Sequence, residues 1–335
     1  MKSLQQRIAA LQDLVQYIRE GQDELKAKMA VTARSNRWFT QENVSERLLS
    51  IADQYLDRSN LEAWLANYDI KASATPKRIG VVAAGNIPLV GFHDCLTTFI
   101  AGHHLQLKPA SKDSVLLPHL LEKLMELAPG FHCQIVEKLE AYDAVITTGN
   151  NNSARYFEYY FRHVPHIIRK NRNGVAVLNG SETVRDLDQL GLDIFSYFGL
   201  GCRSVSKLYL PAGYDLSRLL HAFDNYRDIA HHNLYRNNLD YNRTLLMLNQ
   251  VAFLDVDHVN ITENPSIPSP IANLHYEFYE DQEDVLKKLK EAEEAIQCVV
   301  GGDNAYADVG FGQAQHPALG DYADRLDTLE FLLGL

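Results

Sequence analysis

Apolar residues recur along this chain with two periods, one helical and one strand-like. Leu4, Ile8, Leu11, Val15 and Ile18 step along a single helical face, so residues 3–20 form an amphipathic helix. A second helical stretch runs from Asn43 to Leu56, and Ser59-Asn60-Leu61-Glu62 reads as the capping box that opens a third. From residue 78 onward, short apolar runs alternate with helical segments. Strands are predicted at 78–84, 104–108, 132–136 and 143–148, with helices at 88–101, 114–127 and 151–163, and the strand His166 to Lys170 closes this first set. The alternation resumes with strand 174–178, helix 182–197, strand 206–210, helix 215–229, and strand 244–248. A strand near 273–279, a helix at 282–295 and a strand near 296–300 follow, while Asn264 to Ile271 holds three prolines and reads as loop. Strands alternating with helices of this length predict an α/β protein with doubly wound, mostly parallel sheets. The pattern divides into an N-terminal helical segment with a first domain, 1–173, and a second domain, 174–335.

Three short segments carry candidate chemistry. Gly199-Leu200-Gly201-Cys202-Arg203-Ser204 places a thiol on a glycine-flanked loop between a predicted helix and a predicted strand. Glycine lets the backbone bend sharply and lets a substrate approach the sulfur. A thiolate is a strong nucleophile where it is accessible and polarised, although a lone cysteine is more often a small buried hydrophobe. Gly85-Asn86-Ile87-Pro88-Leu89 follows a predicted strand, and Pro88 is expected near the first position of the next helix. Such a junction aims helix N–H groups and the Asn86 amide at one point, where an oxyanion could be held. Lys108-Pro109-Ala110-Ser111 ends another strand, and its lysine stands at the carboxyl edge, where open α/β sheets bind nucleotides.

Composition narrows the field. The chain has 335 residues, enough for two domains, with ordinary hydrophobic (46%) and charged (22%) content. Its formal net charge of -11 argues against nucleic acid as a main partner. No apolar run approaches a membrane span, and none follows the Met1-Lys2 start as a signal peptide would. Cys95, Cys133, Cys202 and Cys298 lie far apart without a Cys-x-x-Cys pair, which suits a reducing cytoplasm and excludes the usual metal-binding spacings. His103-His104 and His231-His232 lack the helical spacing of a metal site and read as surface or packing residues. No Gly-x-Gly-x-x-Gly, Gly-x-Ser-x-Gly or P-loop motif is present. Trp38, Phe39, Trp64 and Tyr68 enrich the entry region with aromatics, for core packing or as one wall of an acyl pocket.

Together these segments resemble the aldehyde dehydrogenase superfamily, and within it the LuxC-type fatty acyl-CoA reductases. Gly85-Asn86-Ile87-Pro88-Leu89 is similar to the superfamily's asparagine–x–proline turn and Lys108-Pro109-Ala110-Ser111 to its strand-end lysine motif. Thr147-Thr148-Gly149-Asn150 resembles its phosphate-facing turn, and Gly199-Leu200-Gly201-Cys202 its nucleophile loop. Gly320 to Phe331 looks like the ending of the reductase branch, so the resemblance spans roughly residues 35–335. It implies an aldehyde dehydrogenase-like fold that binds a nicotinamide cofactor without the conventional glycine fingerprint. It also implies roles: Cys202 as nucleophile, Asn86 as oxyanion donor, and Lys108 on the adenosine ribose. Gly149 and Asn150 would lie at the pyrophosphate, and Gly85 and Pro88 would shape the turn that faces the cofactor. The substrate implied is an acyl-CoA. The chain is shorter than typical members and lacks their C-terminal arm, which leaves a homo-oligomer of open subunit number.

Two departures refine the expectation. Oxidising members place a glutamate on the strand after the phosphate helix, where it activates water; residues 159–181 here contain neither Asp nor Glu. That favours acyl transfer from CoA over aldehyde oxidation. The cations in this run, Arg162, Arg169, Lys170 and Arg172, read either as a solvated strand edge or as counter-charge for phosphates. NAD-preferring members often carry glutamate where Ser111 stands; serine beside Lys112 would not repel a 2′-phosphate, so NADPH is expected over NADH. The alternatives are a related reductase of acyl phosphates or carrier-bound acyl groups, a non-catalytic acyl-binding protein of the same fold, and a cysteine hydrolase.

Overall fold

The computed structural model describes residues 3–70, 75–302 and 306–335; Met1 and Lys2 lie outside them. The chain forms two compact units, one of residues 1–170 with 318–335 and the other of residues 171–317. The closing segment, which the sequence reading grouped with the second domain, thus packs with the first unit.

The first unit opens with helix α1 (Leu4–Glu20), fixed at both ends by local chemistry. Ser3 and Gln6 form a capping box, and Gly21 ends the helix at φ 58°, a conformation open to glycine. Helices α2 (Asp23–Ser35), α3 (Gln41–Ser50) and α4 (Arg58–Leu65) follow, with a wide π-turn at Ile51–Tyr55 carrying α3 onward. The cap of α4 is Asp57, whose carboxylate accepts from the Ser59 and Asn60 N–H groups, two positions before the expected Ser59 cap. Strand β1 (Arg78–Val82), helix α5 (Phe92–Ala101), strand β2 (His104–Lys108), helix α6 (Leu116–Leu127) and strand β3 (Cys133–Ile135) build the first half of a sheet. Strand β4 (Ala144–Thr148), helix α7 (Asn151–Phe161) and strand β5 (His166–Arg169) complete it. The strand order is β3-β2-β1-β4-β5, every pairing parallel. In this order the chain turns back between β1 and β4, and ligands of such sheets bind in the crevice beyond the carboxyl ends at that point.

The second unit holds β6 (Asn173–Val177), α8 (Val184–Phe195), β7 (Val205–Pro211), α9 (Ser217–Phe223) and α10 (Asn233–Leu248). It continues through β8 (Leu254–Val256), β9 (Val259–Glu263), β10 (Asn273–Tyr279), α11 (Gln282–Glu291) and β11 (Ile296–Gly301). Its sheet runs β11-β6-β7-β10-β9-β8 and is parallel except for the β8–β9 pair. The expected strand at 244–248 is instead the last turn of α10, whose buried positions Tyr235, Leu239 and Asn242 follow helical spacing. The proline-rich segment 264–271 is irregular, as expected. The final helix α12 (Thr328–Leu333) belongs to the first unit.

The aromatic entry region is core. Trp64 Nε1 donates to the Tyr322 hydroxyl at 2.9 Å, and the Tyr68 hydroxyl donates to Asp327 at 2.7 Å, so these rings pin the closing segment to the N-terminal helices. His103 is also a packing residue: its Nε2 meets the Leu332 carbonyl at 2.9 Å and its Nδ1 accepts from the Lys77 N–H. No helix among the described residues is long and apolar enough to cross a membrane.

Candidate functional site

In the first unit, three of the candidate segments stand at the carboxyl edge of one sheet. Asn86 lies just beyond β1, Lys108 is the last residue of β2, and Gly149-Asn150 follows β4. Register places Val82 beside Lys108 on one side and beside Thr147 on the other, so the three turns are neighbours along the edge. Lys108 is half-buried and Ser111 is exposed. Gly85 is glycine for a steric reason: a Cβ there would come within 2.7 Å of the Ala110 Cβ, so the Asn86 turn rests directly on the segment that follows Lys108. At Gly149 an added Cβ would crowd Ser153 and Phe157, both at 3.0 Å, in the first turns of α7. Asn150 is the cap of α7, its carboxamide oxygen accepting from the Ser153 N–H at 2.8 Å.

One detail differs from the expected junction. Helix α5 begins at Phe92 rather than 88, and Pro88 lies in a buried turn ahead of it. Leu89 takes the left-handed conformation at φ 57°, which is costly for a non-glycine residue. Its N–H points to the buried Asp113 carboxylate at 2.8 Å. The turn after β1 therefore spends that N–H on a protein carboxylate and does not aim it at a ligand.

In the second unit, Cys202 is partly exposed and sits in the tight turn that leads into β7. Tyr197, Phe198 and Gly199 precede it, all at positive φ (52°, 60° and 71°), so the loop enters the turn through a strained left-handed run. The turn closes through the Ser204 N–H, which donates to the Gly201 carbonyl at 3.0 Å. The segment Gly312–Gln315 braces it. Arg203 Nε donates to the Ala314 carbonyl at 2.6 Å, and Gln315 Nε2 donates to Ser204 Oγ at 3.1 Å. The buried Asp193 of α8 accepts from the Gly312 and Ala314 N–H groups at 2.7 and 2.8 Å. Burial pushes its carboxyl up to about 6, against those two hydrogen bonds. Gly174 is needed beneath the loop, because a Cβ there would overlap the Arg203 carbonyl. Asp193 and Gln315 were invisible to sequence reasoning, since no spacing rule joins positions so far from Cys202; the glycines at 310 and 312 were the nearest signal.

The other thiols are buried. Burial pushes Cys133 and Cys298 up to about 12 and Cys95 well above its ordinary value. No group of His, Cys, Asp or Glu among the described residues has the arrangement of a metal site.

The run without carboxylates contains β5, and its cations have structural partners. Arg169 is buried; its guanidinium donates to Asp94 at 2.6 Å and to Thr328 Oγ1 at 2.7 Å, tying β5 to α5 and α12. Arg172 donates to the Glu293 and Ile296 carbonyls, and Lys170 pairs with Glu158. For the buried Arg169, neither a solvated edge nor a phosphate counter-charge describes what it does.

No protein-family model and no curated protein matches this sequence. Solved structures do. Aldehyde dehydrogenase 21 from Physcomitrella patens, solved with the product succinate, superposes with a TM-score of 0.71 at 12% identity, over 99% of this chain and 84% of that one. Indole-3-acetaldehyde dehydrogenase from P. syringae, in complex with NAD+ and IAA, gives 0.68 at 11% identity over 92% and 76%. Betaine aldehyde dehydrogenase from Staphylococcus aureus, in complex with NAD+, gives 0.65 at 11% identity over 92% and 75%. The fold of this chain is the aldehyde dehydrogenase fold.

Proposed function

We propose that this protein is an acyl-CoA reductase, which takes an acyl group from CoA onto Cys202 and releases it as an aldehyde at the expense of NADPH. The observation that carries this reading is the braced Cys202 turn on an aldehyde dehydrogenase fold, in a chain with no Asp or Glu between residues 159 and 181, where the resemblance expects the water-activating glutamate. A fixed thiol without that carboxylate favours acyl transfer over hydrolysis.

The residues present suit a nicotinamide dinucleotide. The edge at the β1–β4 reversal has a lysine at the end of β2 and a turn after β4 leading into the N-terminus of α7. Lys108 would hold the adenosine ribose, Ser111 would leave room for a 2′-phosphate, and Gly149-Asn150 would lie along the pyrophosphate. Because Asn150 already caps α7, the backbone N–H groups of the first turn would make that contact. Gly85 and Pro88 would shape the wall of the turn after β1. The bound nicotinamide supplies hydride.

The rest is done by the chain. The Cys202 thiolate forms a bond to the thioester carbonyl carbon, and, as the resemblance implies, the tetrahedral oxyanion would be held by the Asn86 amide and the Cys202 backbone N–H. Loss of one such donor costs about 3 kcal/mol of barrier. The oxyanion collapses with cleavage of the bond to CoA, whose thiolate leaves. With that hydride the acyl-enzyme carbonyl would become a thiohemiacetal held on Cys202, whose C–S bond would then break to free the aldehyde and restore the thiolate. The test is NADPH oxidation measured across acyl-CoAs of graded chain length, with acyl phosphate and carrier-bound thioester in parallel. Turnover with acyl-CoA supports the proposal; turnover with only the other donors moves it to a related reductase, and absence of any oxidation overturns it.

A further inference from the structure

We propose that Asp113 is a positioning residue for the Asn86 turn, holding the Leu89 N–H so that the amide ahead of it is presented in one orientation. This rests on the oxyanion role assigned to Asn86 above. Asp113 is 2% exposed, and a carboxylate is rarely buried so fully without a pressing partner. Its Oδ2 accepts from the Leu89 N–H at 2.8 Å, while Oδ1 is buried with no donor among the described residues. Desolvation pushes the carboxyl up to about 6, against the pull of the Leu89 N–H. Packing alone would be better served by an apolar side chain, because a buried acceptor left half-satisfied is destabilising.

What Asp113 holds is a strained piece of backbone. Leu89 sits at φ 57° between Pro88 and α5, a conformation that persists only where the surroundings impose it. The same turn is pressed from below, since a Cβ on Gly85 would meet the Ala110 Cβ, the Lys112 Cβ and the Asp113 N–H. The Asp113 segment is itself anchored: its N–H donates to the Ala110 carbonyl at 3.0 Å, and Asn36 at the end of α2 donates to the Lys112 carbonyl at 3.3 Å. Asn86 thus lies on a short arc fixed by sterics at Gly85 and by a charged hydrogen bond at Leu89. Without the acceptor, the left-handed turn can relax, and a misplacement of about 1 Å at a catalytic group costs on the order of a hundredfold in rate.

The measurement is the rate of Cys202 acylation by acyl-CoA, followed by mass spectrometry, together with the dissociation constant for NADPH. Asp113→Ala should slow acylation by about a hundredfold and change NADPH binding much less. Asp113→Asn should recover most of the rate, because its carboxamide oxygen accepts the same hydrogen bond. Asp113→Leu fills the buried space without an acceptor and should behave as Ala does, which covers the case in which the smaller side chain prevents folding. Acylation at the wild-type rate in Ala or Leu variants overturns the proposal. So does equal loss in Asn, or a parallel loss of acylation and cofactor binding, which would mark a merely structural role. Wild-type protein that never acylates, or Asn86→Ala that acylates normally, refutes the functional reading itself and is separable from these outcomes.

Discussion

The four thiols of this chain differ in what surrounds them, and that difference makes the nucleophile testable. Cys95, Cys133 and Cys298 lie in the cores and are held protonated by burial, whereas Cys202 is partly exposed on a braced turn. Because the thiolate is the reactive form, iodoacetamide should modify native protein at Cys202 well before the other three, read by peptide mass mapping. Cys202→Ala should abolish acyl-CoA reduction with the thermal midpoint unchanged, since no core layer loses volume. An undiminished rate in that variant would exclude the covalent route. At this scale the turn chemistry singled out Asn86, Lys108 and Cys202 and the resemblance singled out Gly149, and all four lie in turns or at strand ends. Asp113 and Asp193 were not, because each acts on backbone N–H groups that only the folded chain brings near, Leu89 for one, Gly312 and Ala314 for the other. A buried carboxylate looks, in sequence, like any solvated one.

At the scale of elements, the parallel strands were the most legible part, because buried strands between helices make continuous apolar runs bounded by turns. The misreading at 244–248 has the same origin. Thr244-Leu-Leu-Met-Leu248 is a short apolar run, and such a run cannot be told from the end of a helix without the buried positions Tyr235 and Leu239 ahead of it. The late start of α5 escaped for another reason: proline at 88 suggests a first turn, but the left-handed Leu89 postpones it. Strand β5 carries the main functional prediction at this scale. With Arg169 bonded to Asp94 and Thr328, and no Asp or Glu between 159 and 181, that strand offers no carboxylate to deprotonate water. Cys202 loaded with acyl-CoA in the absence of nicotinamide should keep its adduct through a time course of intact-mass measurements, and free CoA should remove it by reversing the attack. Rapid release of free fatty acid would mean that another segment supplies a base. The same pair has a structural cost: Arg169→Ala leaves Asp94 buried without its partner and should cost about 3–5 kcal/mol of stability, seen as a lower denaturant midpoint.

For the whole molecule, the two units differ in how burial has set their titratable groups. In the first unit, desolvation lowers the pKa of His93, His103, His104 and His119 and raises that of Asp113 to about 6. In the second, desolvation lowers His258 and His275 and raises Asp193 to about 6. A histidine whose folded pKa is depressed binds its proton more readily in the unfolded chain, so its contribution is intact at neutral pH and lost as pH falls through the unfolded value of about 6.5. A carboxyl whose folded pKa is raised does the reverse, relieving its cost of burial as pH falls through about 6. The carboxylates with lowered values, Asp57, Asp186, Asp215 and Glu277, titrate below the ordinary carboxylate range and leave the window between pH 5 and 7, on the order of these pKa values, untouched. Four histidines oppose one carboxyl in the first unit and two oppose one in the second, so mild acid should weaken the first unit more. Hydrogen exchange with mass spectrometry at neutral pH and near pH 5, corrected for the intrinsic exchange rate, reads this directly. Protection should fall further in the core strands β1, β2 and β4 than in β6, β7 and β10. An equal loss, or a larger one in the second unit, would mean that the buried histidines do not govern acid stability and that carboxyl burial at Asp113 and Asp193 outweighs them.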